Sequence, residues 1–331
     1  MNSVSDNELV LIDGSGYIFR AYYALPPMFK SDGTPVNAVF GFSNMLLKLV
    51  EDIQREKGGF VSIAVIFDAS RETFRNKIYP QYKANRSDPP EDLIPQFQLI
   101  KKVPESFNLQ SIELQGYEAD DLIASYCVQA ISQKKKVTII SADKDLMQLI
   151  RPNVTMIDPM KKSQVTEKTV LEKFGVLPNK VIDVQALAGD SSDNVPGIPG
   201  IGPKIAAQLI NEYQSLENLL ENAEKIKQEK RRDFIIQNKE MAIISKKLVT
   251  LREDINLPKS IDELKFQPLD VEKLIKFLES MEFNRIKTTV ISKYGLNSKI
   301  GSDDSIGKKT NEFYIPLRQK IDRNKYVLIY D

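Results

Sequence analysis

The chain has 331 residues, 42% of them hydrophobic, with 46 Lys and Arg against 45 Asp and Glu, one cysteine and no histidine. Without imidazole there is no Ser-His-Asp triad and no His-bearing zinc site, so acid chemistry must run on carboxylates and metal ions. A single cysteine excludes an intramolecular disulfide framework and a thiolate metal cluster, and no apolar run reaches the roughly 18 residues of a membrane span.

The opening "MNSVSDNELV" lacks a signal-peptide pattern, so a cytosolic chain without a membrane partner is expected. Three strand-like runs follow, over 9–12, 61–67 and 137–141, separated by helical patterns. In the first of these patterns Val39, Phe42, Leu46, Leu49 and Val50 form one apolar stripe, which is βαβ logic. The segment after the second run mixes Arg71, Arg75, Lys77, Lys83 and Arg86 with Phe74, Tyr79 and Tyr82. Such interleaving suits phosphates and stacked bases, or else a solvated surface held by its aromatics. A helix is expected over 118–133, with Asp120 and Asp121 in its first turn and Cys127 in its core.

After about residue 185 helical patterns take over, and a second, helical domain is expected over 186–290. It opens on "GDSSDNVPGIPGIGPKIAAQLI", where Gly202 and Pro203 match a cap and a first helical position. Gly197, Gly200 and Gly202 permit a tight turn with free amides, and with Lys204 behind them the turn suits a phosphate; a purely structural turn is the alternative. Residues 291–325 read as a polar linker, and "YVLIYD" in 326–331 as a strand whose partner lies elsewhere, as if a longer protein had been cut.

Nine acids stand where these elements end or begin: Asp13, Asp68, Glu118, Asp120, Asp121, Asp143, Asp145, Asp190 and Asp193. In a parallel sheet the strand ends open onto one crevice, so several of these acids should converge there; Asp190 and Asp193, three apart, share a face if helical. Two carboxylates about 4 Å apart repel by roughly 4 kcal/mol at an effective dielectric near 20, so the group needs cations, and oxygen donors favour Mg²⁺ or Mn²⁺. With the nine set aside, 36 acidic residues face 46 basic ones. An acidic pocket in a basic body fits a polyanion cut with metal assistance, although charge counting alone leaves an evenly mixed surface open.

The motifs "LIDGSGYIFRAYYALP", "FDASRETFRNKIYPQYKANR", "GYEADDLIAS", "SADKDLMQLI" and "ALAGDSSDNVPGIPGIGPKIA" together resemble the amino-terminal 5′ nuclease domain of bacterial DNA polymerase I, in the flap endonuclease superfamily, over about residues 8–290. The resemblance implies an α/β fold: a PIN-like (Rossmann-like) parallel-sheet nuclease core over 1–185, with an arch over about 71–105, then a helix-three-turn-helix (helix-hairpin-helix-like) domain. It implies a first ion at Asp13, Asp68, Glu118 and Asp120, with Asp121 close by, and a second at Asp143, Asp145, Asp190 and Asp193. Arg20, Tyr82, Lys83 and Arg86, with Arg75 added, would steer phosphate. Gly197 to Lys204 would contact duplex backbone, where K⁺ can also bind. The expected activity is divalent-metal-dependent 5′-3′ exonuclease and flap cleavage of DNA by a monomer, in primer removal and excision repair, and no polymerase activity follows from these residues. A non-catalytic module that binds branched DNA is the alternative. A Mg²⁺ phosphatase would want a second acid two residues after its nucleophilic Asp, where "LIDGSGY" has Ser15.

Overall fold

The structure, a computed structural model, describes residues 7–57 and 61–294. Its centre is a six-stranded sheet in the order β3-β2-β1-β4-β5-β6, built from β1 (Glu8–Asp13), β2 (Ser62–Ile66), β3 (Gln110–Ile112), β4 (Lys136–Ile140), β5 (Val154–Asp158) and β6 (Ser163–Val165). Every neighbouring pair is parallel except β5 with β6. Leu9 to Ile12 of β1 and Ile63 to Ile66 of β2 are buried on both faces, which is why each reads as an unbroken apolar run instead of an alternation. β3, β5 and β6 escaped the sequence reading. β3 and β6, at the sheet edges, are three residues long and mostly polar, and β5, "VTMID", mixes apolar and polar positions.

One face of the sheet carries α1 (Gly14–Ala24), α2 (Asn37–Lys57) and, after the short α3 (Phe74–Ile78), α4 (Ile94–Ser106). Val10, Ile12, Ile63 and Val65 meet Ile18, Phe42, Leu46 and Ile100 there. The other face packs on α5 (Ala119–Ser132), where Leu9, Leu11, Ala64 and Ile66 meet Leu122, Ile123, Tyr126 and Cys127. The expected 3.6-residue stripe on α2 is in place, with Leu49 only partly buried. Of residues 71–105, expected to form an arch, α4 is packed into the body of the fold, with Ile100 and Val103 fully buried in the sheet's first face.

Helices α6 (Glu167–Phe174), α7 (Val181–Ala188), α8 (Pro203–Tyr213), α9 (Leu216–Glu221), α10 (Glu229–Gln237) and α11 (Lys239–Val249) form the helical half. Its core runs without a break into that of the α5 face, through Val184, Leu187, Ala206 and Ile210. The helical unit expected over 186–290 divides. α12 (Val271–Ser280) and α13 (Asn284–Tyr294) return to the opposite face and bury Leu274, Leu278, Ile286 and Val290 beside α2. Residues 291–294, expected in a linker, belong to α13; the rest of that linker and the strand at 326–331 lie outside the described residues. Among the described residues no helix is long and apolar enough to cross a membrane.

The glycine turn is fixed by close backbone approach. A Cβ on Gly197, at φ +61°, would sit 2.3 Å from the Gly189 nitrogen, and the Gly197 amide donates to the buried Ser245 hydroxyl at 3.0 Å. Gly197→Ala should therefore cost about 3 kcal/mol through a left-handed alanine and a backbone clash. Urea unfolding measures it, and an unchanged midpoint would show that the turn has room to spare.

Candidate active site

Strand order places the site. β1 sends its first crossover toward β2 and its neighbour on the other side is β4, so the crevice at this switch point gathers the loops after β1, β2 and β4. Asp13 ends β1 and caps α1, accepting from the Gly16 amide at 3.1 Å and from the Ser141 hydroxyl at 2.8 Å. Ser141 ends the β4 run and also accepts from the Asp143 amide at 2.9 Å, so one hydroxyl ties the two loops together. Asp143 in turn accepts from the Asp145 amide at 2.8 Å. From the β2 side, Asp68 accepts from the Ala119 amide at 2.8 Å, the first N–H of α5. The Asp68 amide donates to Ser15 at 3.0 Å. A helix amino terminus with an acid before it and acids in its first turn is favourable electrostatics, which accounts for Glu118, Asp120 and Asp121 beginning α5.

One pocket is lined by Asp13, Asp68, Glu118, Asp120, Asp143, Asp145 and Asp193 together with Lys83, Arg86, Lys144, Ser15 and Ser192. Seven of the nine acids singled out from sequence therefore meet. Asp190 borders an adjoining recess that it shares with Asp120, Asp145 and Asp193.

The other expectations need correction. Asp121 faces away from the pocket and is fully buried in a two-pronged pair with Arg75, at 2.6 and 2.8 Å. Arg75, 1% exposed, is held further by the Leu248 carbonyl at 2.7 Å. It cannot meet a phosphate, and Asp121 has no oxygen to spare for an ion. Asp190 and Asp193 do not share a helical face; they sit in a turn closed by the bridge between Asp190 and Val195, with Asn194 left-handed at φ 56°. Arg20, on α1, is not among the residues lining the pocket. Tyr82 is buried, its hydroxyl 3.3 Å from Glu118 and 3.2 Å from Asp193, so it bridges two acids and does not face solvent. Gly202 caps α8 and Lys204 lies exposed in its first turn, as read from sequence.

Lys83 and Arg86 both line the pocket. Lys83 adopts the left-handed region at φ 56°, held by its amide on the Asp193 carbonyl at 2.9 Å. Asn85 on the Ser191 carbonyl and Asn194 on the Gln81 carbonyl, at 2.7 and 2.6 Å, stitch the same two segments together. The Lys83 ammonium reaches Glu118 at 2.8 Å, and Arg86 reaches Asp193 at 2.5 Å. Sequence reasoning missed the supporting residues Ser141, Asn85, Asn194 and Gln185. Gln185 donates to Asp145 at 2.5 Å. Only its place in α7, one turn before Gly189, hinted at such a role.

Electrostatics divide the acids. Burial, then repulsion from Asp68, pushes Asp13 up to about 6, despite help from Gly16 and Ser141. Burial, then Asp193 and Asp190, does the same to Asp145, also to about 6. Asp120 and Asp143 are raised well above the ordinary carboxylate value by burial and by their acidic neighbours. Burial also pushes Asp193 up, but Lys83 and Arg86 outweigh it and hold it below that value. Burial works against the Lys83 ammonium, yet Glu118, Tyr82 and Asp193 keep it well above the usual lysine range.

Acids crowded until their protons are held tightly, with only oxygen donors among them, fit hard divalent cations. Among the described residues no three acids already form a ready-made ion cage. Lys83, Arg86 and Lys144 engage Glu118, Asp193 and Asp190 instead.

Comparison with known proteins gives the family. A family model described as "5'-3' exonuclease, N-terminal resolvase-like domain" matches residues 8–175, and one described as "5'-3' exonuclease, C-terminal SAM fold" matches 176–272. The DNA polymerase I of Rhizobium leguminosarum is 54% identical over 86% of this chain, which spans 28% of that relative. The 5'-3' exonuclease of Aquifex aeolicus is 42% identical over 84% of this chain and 93% of its own length. The fold is shared with bacteriophage T5 5'-exonuclease, solved with bound zinc (TM-score 0.61, 21% identity, 83% of this chain and 98% of that one). It is shared too with the catalytic core of Rad2 in complex with DNA substrate (TM-score 0.56, 16% identity, 87% and 94% covered). The resolvase-like sheet, the SAM-like helices and the matched relatives place this chain in the 5′-3′ exonuclease family.

Proposed function

We propose that the chain is a divalent-metal-dependent 5′ nuclease that hydrolyses phosphodiester bonds at 5′ ends and 5′ flaps of DNA. The observation that carries this reading is the convergence of seven acids with Lys83 and Arg86 on one pocket at the switch point of the sheet. Asp13, Asp68, Glu118 and Asp120 are the donors for one ion, and Asp143, Asp145, Asp190 and Asp193 for another, with Mg²⁺ or Mn²⁺ the natural occupants. Bound there, two such ions supply an activated water and neutralise charge on both the attacking and leaving oxygens. Lys83 and Arg86 stand beside the acids to meet the scissile phosphate, in place of the internal carboxylates they hold without substrate.

Gly197 to Lys204 is the duplex-backbone contact in this reading, through the amino terminus of α8, whose Gly202 cap offers its amides no side-chain acceptor, and the exposed lysine, with K⁺ as a further occupant of the turn. DNA as substrate is supported by the T5 flap endonuclease, solved in complex with DNA and metal ions, and by Rad2 with its DNA substrate. The reading extends to a cytoplasmic monomer acting in primer removal and excision repair.

A 5′-labelled flap incubated with the chain should be cleaved in Mg²⁺ and left intact in EDTA. Tight binding without cleavage in either would favour a non-catalytic binder of branched DNA. Lys204→Ala should weaken duplex affinity and flatten its salt dependence by about one counterion, with single-turnover cleavage at saturation little changed. The reverse pattern would remove the glycine turn from duplex binding.

A further inference from the structure

Lys144 stands between two of the acids assigned to the second ion, inside the "SADKDLMQLI" motif, and the resemblance assigned it no role. It lines the pocket beside Asp143, Asp145 and Asp193. Its ammonium is 3.0 Å from Asp190 Oδ2, with the lysine side chain 21% exposed and the aspartate side chain 6% exposed. The other Asp190 oxygen accepts from the Ser192 amide at 2.9 Å and the Ser192 hydroxyl at 2.6 Å. Both oxygens of Asp190 are therefore engaged by donors from the protein itself.

Lys144 differs from the other two cations of the site. Lys83 and Arg86 reach the acids from the segment between β2 and α4, so substrate that engages this segment can draw them off together. Lys144 is joined by peptide bonds to Asp143 and Asp145, so its charge stays at the pocket whatever that segment does.

We propose that Lys144 is an internal counter-cation for Asp190 that competes with a divalent ion for this carboxylate, and so weakens and tunes metal binding at the second acid group. This rests on the reading of Asp143, Asp145, Asp190 and Asp193 as ion donors. A positive charge fixed beside a cation site lowers its affinity by simple Coulomb repulsion, and the carboxylate must shed the ammonium before it can serve the ion. Lys144 acts here as a positioning and tuning residue, without contact to the reacting atoms.

Calorimetric titration of the DNA-free full chain with Mn²⁺ tests this, with folding of each variant checked by circular dichroism. Lys144→Gln should tighten the weaker class of sites by about tenfold, Lys144→Met should do the same, and Lys144→Arg should restore wild-type affinity by restoring the charge. In an Asp190→Asn background the effect of Lys144→Gln should largely vanish, because the competed carboxylate is gone. Unchanged or weaker Mn²⁺ binding in both uncharged variants, with the wild type binding normally, would overturn the role of Lys144 alone. A wild type that binds no Mn²⁺ would overturn the metal-site reading and this inference with it.

Discussion

Asp145→Asn should lower kcat/KM for flap cleavage in Mg²⁺ by about 10³-fold, roughly 4 kcal/mol of transition-state stabilisation, and should also make the metal-free protein more stable. The two effects have one cause. Burial, then Asp193 and Asp190, raises the Asp145 carboxyl to about 6 in the folded chain. A carboxyl raised on folding contributes stability that is full below its unfolded value near 3.9 and lost as pH climbs through about 6. At pH 7.5 without metal, the wild type holds this group ionised against its neighbours, whereas asparagine carries no charge. Asparagine also keeps an oxygen for Gln185, which donates to Asp145 Oδ1 at 2.5 Å.

The gain should be about 1–2 kcal/mol, discounted for pocket water and for sharing among neighbouring acids, or a few degrees in Tm. Melting in EDTA between pH 4 and 8 checks it: the variant should lead at pH 7.5 and the lead should close below about pH 4. Full activity, or a lower melting temperature at pH 7.5, would show that the carboxylate is not held there for a cation. Such an exchange of stability for chemistry is the usual mark of a functional site.

Arg75→Ala should destabilise the fold by about 3–5 kcal/mol, because it strands the fully buried Asp121 without its partner. Packing adds to this, since the guanidinium lies over the Phe74 ring at 4.6 Å and bonds the Leu248 carbonyl at 2.7 Å. Through these contacts it pins α3 both to the start of α5 and to the end of α11. Replacing the pair together, Arg75→Met with Asp121→Leu, should recover much of the loss, since no charge is then left buried alone. Urea unfolding of the single and double variants measures both. A single variant within 1 kcal/mol of wild type would instead support Arg75 as a solvent-facing phosphate contact.

Arg75 and Asp121 show where sequence reasoning stopped. Each carries the residue type that the chemistry wants, beside residues that do line the pocket, and only burial separates Asp121 from Asp120. On an α-helix adjacent positions point about 100° apart, so one of the two faces the pocket and the other the interior. Which one did so depended on how α5 sits against α3 and α11, a long-range relation that no local pattern records. The turn from Asp190 to Val195 failed for a related reason. A spacing of three fits a helix and a tight turn equally, and the left-handed Asn194 with its bond to the Gln81 carbonyl decides between them.

The amino-acid order alone was enough for the sheet strands that end in acid, the absence of imidazole from the chemistry, and the glycine turn with Pro203 opening α8. These follow from residue type and short periods, because an apolar run between turns has few ways to be buried and a histidine-free chain has few ways to hydrolyse. It took the folded chain to settle which acids meet, that Lys83, Arg86 and Lys144 already engage three of them, and that α12 and α13 return to the face of the sheet beside α2. Those outcomes depend on contacts between residues far apart in the chain, where burial and the pairing of charges outweigh any local preference.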